Sequence, residues 1–373
     1  MAPYKNVVVL GAGVTGLTTA ITLLRNGARQ VTVVGKDVPG DMNPEYSSVN
    51  AGASIISFAS SNNKRLQEMD RFTIKEFRRL ANTEPESGVS YCPGVQYYGI
   101  DDAPGEDCHW VRDLFQDYEK LHQKNLPAGI IGGYRFVACK YDRVLPRNEL
   151  LTHFNFALIV TANVPVYLNF LVKTLISLGG RLERQSFDSL QSAMDQYQDA
   201  DTLINCTGMG SYYLKDVQDH TLYPVRGQTV IVRAPHIKHQ LYKDVCRTDR
   251  FCTYIIPRGD GTVVLGGTLD RDDTNMEVEP ELTKAILENA YKLHPYLTHN
   301  KGPDAFDILS VDVSFRPGRE GGIRLEKETR YRNNGDKVTV AHNYGHSCHG
   351  FQSSWGSSHK LLQLLKGEHL SKL

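Results

Sequence analysis

The first thirty-odd residues constrain the chain most. Asn6-Val-Val-Val-Leu10 is an apolar run of strand length, and Gly11-Ala-Gly13-Val-Thr-Gly16 interrupts it. Leu17 to Arg25 then has helical periodicity with a glycine stop at Gly27, and Val31-Thr-Val-Val34 is a second apolar strand. Strand, glycine-rich turn, helix and strand make a βαβ unit, and a G-x-G-x-x-G turn in that setting predicts a dinucleotide pyrophosphate at the helix N-terminus. Gly11 permits the tight turn, Gly13 lets backbone approach the phosphates, and Gly16 lets the helix pack closely on the strand. The free N–H groups and positive dipole end of that helix supply the attraction.

The acidic residue that usually ends the second strand and binds a ribose is displaced here. The stretch reads Gly35-Lys36-Asp37. Asp37 is one candidate for the ribose, with backbone and Lys36 on the adenosine side as the other. The motif by itself suits FAD-binding oxidoreductases as well as NAD enzymes.

The rest of the chain narrows the class. With 373 residues it is long enough for two domains. Lysine plus arginine (42) balance aspartate plus glutamate (42), which argues against a nucleic-acid partner. No apolar run reaches the roughly 18–20 residues of a membrane span. Met-Ala-Pro-Tyr-Lys leads directly into the first strand, leaving no room for a signal peptide. The seven cysteines are odd in number, scattered and free of Cys-x-x-Cys, which predicts reduced thiols in an intracellular protein. Ser371-Lys372-Leu373 ends the chain and matches a peroxisomal address, so the expected location is the peroxisome matrix, with the import receptor as partner.

Periodicity predicts a loop over 38–44 and an amphipathic helix over 62–80 with Leu66, Met69, Phe72, Ile74, Phe77 and Leu80 on its apolar face. It predicts a helix over 165–180 and a short buried strand ending at Thr207-Gly208. Further strands are predicted at 228–233, 252–256, 263–266 and 338–342, antiparallel strands within 88–145, and helices at 279–293 and 357–365. Ser47 to Ser54 is small and polar, a segment whose backbone could approach a ligand.

Several short motifs occur in a fixed order: Ala51-Gly52-Ala53, Asn205-Cys-Thr207-Gly208, Pro224-Val-Arg-Gly-Gln228-Thr, Tyr254-Ile-Ile-Pro-Arg258, Gly266-Gly267-Thr268, Phe315-Arg316-Pro317-Gly-Arg-Glu-Gly321-Gly322, and His342 through Gly356. As an ordered set they resemble the D-amino-acid oxidase family of FAD enzymes over nearly the whole chain, and within it most resemble fungal D-aspartate oxidases. The resemblance implies an α/β fold, with a Rossmann-type FAD-binding domain (1–57, 146–216 and 305–373) interleaved with a mixed, largely antiparallel-sheet substrate domain (58–145 and 217–304).

It also implies roles residue by residue. Gly11, Gly13, Val14, Thr15 and Gly16 would hold the pyrophosphate. Lys36, Asp37 and the Phe187 backbone would meet the adenosine, with Ser47 and Ser48 at the pyrophosphate or ribityl chain. Gly52 would offer its N–H near flavin N5, beside Ser54, and Thr207 and Gly208 would complete that wall. Ser347, Gly350, Phe351 and Gln352 would line the pyrimidine edge, where N–H donors stabilise charge on the reduced ring. Cys348 stands where the family has Gly, Ser or Ala, and Ser358 where it has Ala.

For the substrate, the family places its carboxylate-binding arginine at Arg316, whose planar fork matches a carboxylate. Tyr254 would add a hydroxyl. Leu269 occupies the position of a second family tyrosine, which argues against an ordinary broad D-amino-acid oxidase. An acidic side chain requires a second cation, and Arg247 is the candidate, with Arg250 as runner-up. The expected reaction is FAD-dependent oxidative deamination of acidic D-amino acids, D-aspartate first, with O2 as acceptor, in a homo-oligomer. Oxidation of neutral D-amino acids, a glycine or sarcosine oxidase, an NAD dehydrogenase and a non-catalytic dinucleotide-binding protein are the alternatives. His342, His346 and His349 have metal-ligand residue types but no fourth ligand at zinc spacing, so no metal is expected.

Overall fold

The protein is described by a computed structural model covering residues 4–57, 59–60, 62–98, 117–120, 126, 132–137, 158–243 and 250–368. Two sheets carry the site. One has six strands in the spatial order Arg324–Tyr331, Lys337–Tyr344, Thr202–Asn205, Asn6–Leu10, Gln30–Gly35 and Arg181–Arg184. Five of these run parallel, and Arg324–Tyr331 closes one edge antiparallel. The central strand is buried on both faces, with Val7, Val8, Val9 and Leu10 all at or below 3 % exposure. Both faces are apolar because helices cover them, which explains why this strand reads as a continuous run and not an alternation.

Helix Val14–Arg25 buries Leu17, Ala20, Ile21 and Leu23, each large side chain contributing about 1.5–3 kcal/mol of burial. The chain then turns at Gly27, whose φ of +96° lies in the left-handed region that glycine adopts without strain.

The other sheet runs Asp270–Arg271, Leu222–Arg233, Thr262–Thr268, Phe251–Pro257, Gln240–Lys243, Val89–Tyr98, Gly132–Val137 and Asp117–Lys120. It is antiparallel apart from the parallel pairing of Gln240–Lys243 with Val89–Tyr98. Ile308–Arg319 adds to it, pairing with Leu222–Arg233 along nearly its whole length. Leu158–Ala162 joins Val89–Tyr98 to Ser54–Ile55. Segments thus cross between the sheets. Ile308–Arg319 lies in the second sheet, whereas helix Lys64–Thr83 packs on the C-terminal helix Gly350–Leu365 through Thr73 and Gly356 (2.9 Å) and the Lys360–Glu68 ion pair (2.7 Å).

Three local expectations change. Phe72 is not on the buried face of its helix: it is 39 % exposed and stacks on His359 at 4.4 Å. The 3.6-residue period takes it to the flank, and a second aromatic ring covers it there. In helix Val164–Ser177, Ile176, one of the apolar residues whose spacing predicts the 165–180 helix, is likewise exposed. The last helix begins at Gly350, seven residues before the expected start. Glycine and serine lower helix propensity there, but packing against Lys64–Thr83 overrides it. Trp355 is in the core, with Nε1 donating to the Tyr167 hydroxyl at 2.8 Å. Trp110 lies outside the described residues.

Candidate active site

One cavity of about 700 Å³ runs from the first βαβ turn to the second sheet. Its nucleotide end is built by the turn after Asn6–Leu10. Gly11 has φ +106°, and its N–H donates to the Val34 carbonyl at 2.7 Å, tying the turn to the neighbouring strand. A Cβ on Gly13 would come within 2.8 Å of Ser48 Oγ, so the wall there is held at backbone distance. Ser48 Oγ in turn accepts from Val14 N–H at 3.0 Å, and the Tyr46 hydroxyl donates to the Ala12 carbonyl at 2.8 Å. Gly16 stands behind the wall, where a Cβ would overlap the Gly11 carbonyl oxygen. Its part is packing, and the rest of the motif borders the space.

Of the expected cofactor residues, Gly11, Gly13, Val14, Thr15, Lys36, Asp37, Ser47, Ser48, Gly52, Ser54, Phe187, Thr207, Gly208, Ser347, Gly350, Phe351 and Gln352 all line this one cavity. Lys36 pairs with Glu45 (2.9 Å), and Asp37 accepts from Asn43 Nδ2 (3.1 Å). Thr207 is fixed by Asn205 Oδ1, which accepts from its N–H (3.1 Å) and its hydroxyl (2.8 Å). Ser47 donates to the Phe315 carbonyl, linking this wall to the strand that carries Arg316.

Two helix N-termini meet at the cavity. Gly13 caps one and His349 the other, and neither end has a side-chain cap. Such ends are anion sites. Asn50 and Asn343 also line the cavity, and the Oδ1 of each is buried without a partner, so a bound group has acceptors left to satisfy. Glycines at backbone distance, uncapped helix ends and unsatisfied amide oxygens fit a phosphate-containing cofactor with a polar heterocycle.

The other end is a clamp. Arg316 comes from strand Ile308–Arg319, opposite Val225, and its Nη1 donates to the Thr268 carbonyl at 3.0 Å. Its guanidinium lies over Gly227, where any Cβ would overlap it. Tyr254, from the neighbouring strand Phe251–Pro257, lies over Gly266 in the same way and hydrogen-bonds Arg316. Burial pushes the Tyr254 phenol up to about 12, with Arg316 pulling it part of the way back. The phenol is therefore a neutral donor beside a fixed cation.

Tyr242, Cys252, Ile256, Thr268 and Leu269 complete this end. Tyr242 had no signal in the sequence, because strand Gln240–Lys243 carries no recognisable motif. Arg258 was legible as a motif residue but not as a support. It is 8 % exposed and donates to the Ala51 carbonyl at 3.1 Å, holding the Gly52 wall from behind.

The remaining candidates separate. Arg250 pairs with Asp270 at 2.6 Å and with Glu279 at 3.8 Å, and its side chain is 45 % exposed. Arg247 and Ser371-Lys372-Leu373 lie outside the described residues. His346 lines the cavity but shares a hydrogen bond with Ser357 Oγ at 3.1 Å. Burial, reinforced by His349 and Arg65, lowers it to about 3, so it is neutral. Cys206 is packed and pushed up to about 12 by burial, consistent with a filler and not a nucleophile. Cys348 lines the cavity. Ser358 is buried and shares hydroxyl contacts with Thr18 (3.2 Å) and Thr19 (3.0 Å). Among the described residues no group of His, Cys, Asp or Glu is arranged to hold a metal, and no helix is long and apolar enough to cross a membrane.

Comparison with known proteins agrees with this geometry. Residues 6–364 match the family described as FAD dependent oxidoreductase. A protein from Schizosaccharomyces pombe named D-amino-acid oxidase is 32 % identical over 94 % of this chain and 93 % of its own length. One from Talaromyces thermophilus named D-aspartate oxidase is 27 % identical over 98 % and 96 %. The solved glycine oxidase of Geobacillus kaustophilus superposes with a TM-score of 0.70 at 15 % identity, covering 100 % of this chain and 96 % of that one, which shows the shared fold. With a βαβ turn, two helix ends and an arginine clamp on a single cavity, and a match across almost its full length, the chain belongs to the FAD dependent oxidoreductase family.

Proposed function

We propose that the protein is an FAD-dependent oxidase of D-amino acids, with D-aspartate as its preferred substrate. The overall change is D-amino acid + O2 + H2O to 2-oxo acid + NH3 + H2O2. The observation that carries the reading is the Arg316–Tyr254 pair, seated on Gly227 and Gly266 at the end of the cofactor cavity. When bound, FAD supplies a hydride acceptor that O2 can restore.

The protein's own residues do the rest. Arg316 holds the substrate carboxylate in a bidentate fork, and Tyr254 donates its hydroxyl hydrogen to the same carboxylate. Clamping at one end orients the Cα–H towards the cofactor, converting a bimolecular encounter into a positioned one. Leu269, Ile256 and Cys252 exclude water around the reacting carbon. No general base is assigned, since orientation and electrostatics suffice for hydride loss from a substrate with a neutral amine.

The acidic preference is assigned to Arg247, seven residues before Tyr254, the offset at which the resemblance to D-aspartate oxidases implies a side-chain carboxylate partner. The Talaromyces relative named D-aspartate oxidase supports this reading. A neutral preference is supported by the higher identity of the relative named D-amino-acid oxidase and by Arg250 being paired with Asp270.

A panel of D- and L-amino acids with peroxide detection tests the class, and D-aspartate against D-alanine tests the preference. Arg247→Ala is expected to cost about 2–5 kcal/mol of D-aspartate discrimination, roughly 30- to 5,000-fold in kcat/KM. An unchanged ratio would remove the acidic reading and leave the neutral one.

We also propose that segments 1–57, 146–216 and 305–373 form the cofactor unit and 58–145 and 217–304 the substrate unit, with Ile308–Arg319 reaching across to deliver Arg316. Import into peroxisomes through Ser371-Lys372-Leu373, beside enzymes that consume peroxide, and homo-oligomer formation belong to the same proposal.

A further inference from the structure

A carboxylate sits behind the wall that follows strand Lys337–Tyr344, outside the residues that line the cavity. Asp219 is buried, and its backbone is fixed by its N–H on the Ser211 carbonyl (3.2 Å) and its carbonyl under the Leu222 N–H (3.1 Å). Four donors converge on its two oxygens. Arg319 Nε (2.8 Å) and the Tyr344 hydroxyl (2.8 Å) donate to Oδ2, and the Thr221 N–H (3.2 Å) and hydroxyl donate to Oδ1.

A hydroxyl has one hydrogen. Tyr344 gives its own to Asp219 and accepts from Arg324 Nη1 at 2.7 Å. All four contacts on the carboxyl are therefore donors, and an ionised carboxylate satisfies them on both oxygens. Burial raises this group, but Arg319, Thr221 and Tyr344 outweigh burial and hold it below the ordinary carboxylate range. Burial also pushes the Tyr344 phenol up to about 12, so it stays a donor.

These partners belong to different sheets. Arg319 ends strand Ile308–Arg319, which carries Arg316 and lies in the second sheet. Tyr344 ends strand Lys337–Tyr344 in the six-stranded sheet, and the residues from Gly345 to Gly350 then line the cavity. Among the described residues no backbone ladder joins those two strands. The stem of Arg319 lies on Gly345, whose φ is +84° and where a Cβ would come within 2.8 Å of the arginine Cδ. The junction is therefore made by side chains, with Asp219 at its centre.

We propose that Asp219 is a positioning residue: its carboxylate ties the strand that carries Arg316 to the turn that forms the 345–350 wall, and so sets the spacing between substrate clamp and cofactor. This rests on the oxidase reading of the site. A clamp at the wrong distance still binds a carboxylate and still has FAD beside it, but it presents the Cα–H badly. The mark of the tie is a loss of rate with little loss of affinity.

Two variants test it in the full chain. Tyr344→Phe keeps the ring and cuts the tie at the wall. Asp219→Asn keeps the shape, but an amide accepts on one side only and turns N–H groups toward donors on the other. In the FAD-loaded protein, hydrogen exchange at amides 345–350, read by mass spectrometry, is expected to quicken about tenfold in either variant, with amides 7–10 unchanged. Anaerobic flavin reduction by D-aspartate or D-alanine, whichever the wild type oxidises, is expected to slow about 10- to 100-fold. The Kd for acetate, a probe of the clamp alone, and the Kd for FAD should stay within about threefold of wild type. A role in overall stability alone would lower the melting temperature without separating rate from affinity. If Asp219→Asn does not fold, Tyr344→Phe, which leaves the charge in place, decides. Wild-type exchange at 345–350 in Tyr344→Phe overturns the proposal, as does a loss of acetate affinity as large as the loss of rate. If the wild type itself oxidises no D-amino acid, the oxidase reading falls, and the exchange and FAD measurements still decide whether the tie exists.

Discussion

The two ends of the cavity are built on different principles. The nucleotide end uses backbone: a turn held by Gly11 N–H on Val34, a helix start held by Ser48, and a second helix start at Gly350. The clamp end uses side chains: Arg316, Tyr254 and the Thr268 carbonyl come from three strands and meet only because those strands are in register over Gly227 and Gly266. Backbone donors suit a cofactor that every turnover shares. Side chains on a rigid sheet suit a substrate end that can differ between relatives by one residue. The difference also tells where mutations act, since damage to one end should leave the other readable.

The largest separation is expected from Arg316→Leu. Loss of a desolvated carboxylate partner costs about 2–5 kcal/mol, so kcat/KM should fall roughly 30- to 5,000-fold, while the FAD Kd and flavin absorbance stay at wild type. A parallel loss of FAD would merge the two ends.

Asp70, buried in helix Lys64–Thr83 with the Ser57 hydroxyl donating to its Oδ2, gives the next effect, on stability. Burial raises its folded value to about 7, above its ordinary 3.8. Between those values the folded state holds a proton that the unfolded chain has released, so stability falls as pH rises through that window and then levels. Asp70→Asn should flatten this decline and stand on the order of 2–4 kcal/mol above wild type at about pH 8. Thermal melts of the apoprotein across pH check it, and parallel curves for the two proteins would count against a neutral Asp70.

Gly266→Ala is smaller. Its Cβ must displace the Tyr254 ring, an overpacking worth about 1–3 kcal/mol. Weaker binding of carboxylate inhibitors with FAD retained is the expected signature. Arg250→Ala should do least. An ion pair this exposed contributes about 0–1 kcal/mol, so the D-aspartate to D-alanine ratio should stay within about twofold. A large shift there would move the side-chain site from Arg247 to Arg250.

The same contrast explains what the sequence could tell. The nucleotide end was legible because a dinucleotide turn is local: Gly11, Gly13 and Gly16 are spaced by the geometry of one turn and one helix. Arg316 and Tyr254 were legible only through ordered family motifs, since nothing in the spacing of residues 254 and 316 announces a shared strand register. Tyr242 and Asn343 were missed for that reason. Phe72 misled because periodicity reports a face and not which neighbour covers its rim. Asp70 was invisible as an acid of consequence: in one dimension it is another charge on a charged helix, and its burial follows from how closely Gly356, where a Cβ would overlap the Met69 backbone, lets the C-terminal helix approach.

That close approach, with the hydroxyl contacts of Ser358 on Thr18 and Thr19, has a consequence for biosynthesis. The first helix leaves the ribosome more than three hundred residues before the partner that covers it. Its strand waits for Thr202–Asn205, which in turn waits for Lys337–Tyr344. We therefore expect stalled nascent chains ending before residue 337 to retain no FAD. Flavin fluorescence on ribosome-bound intermediates would settle the order.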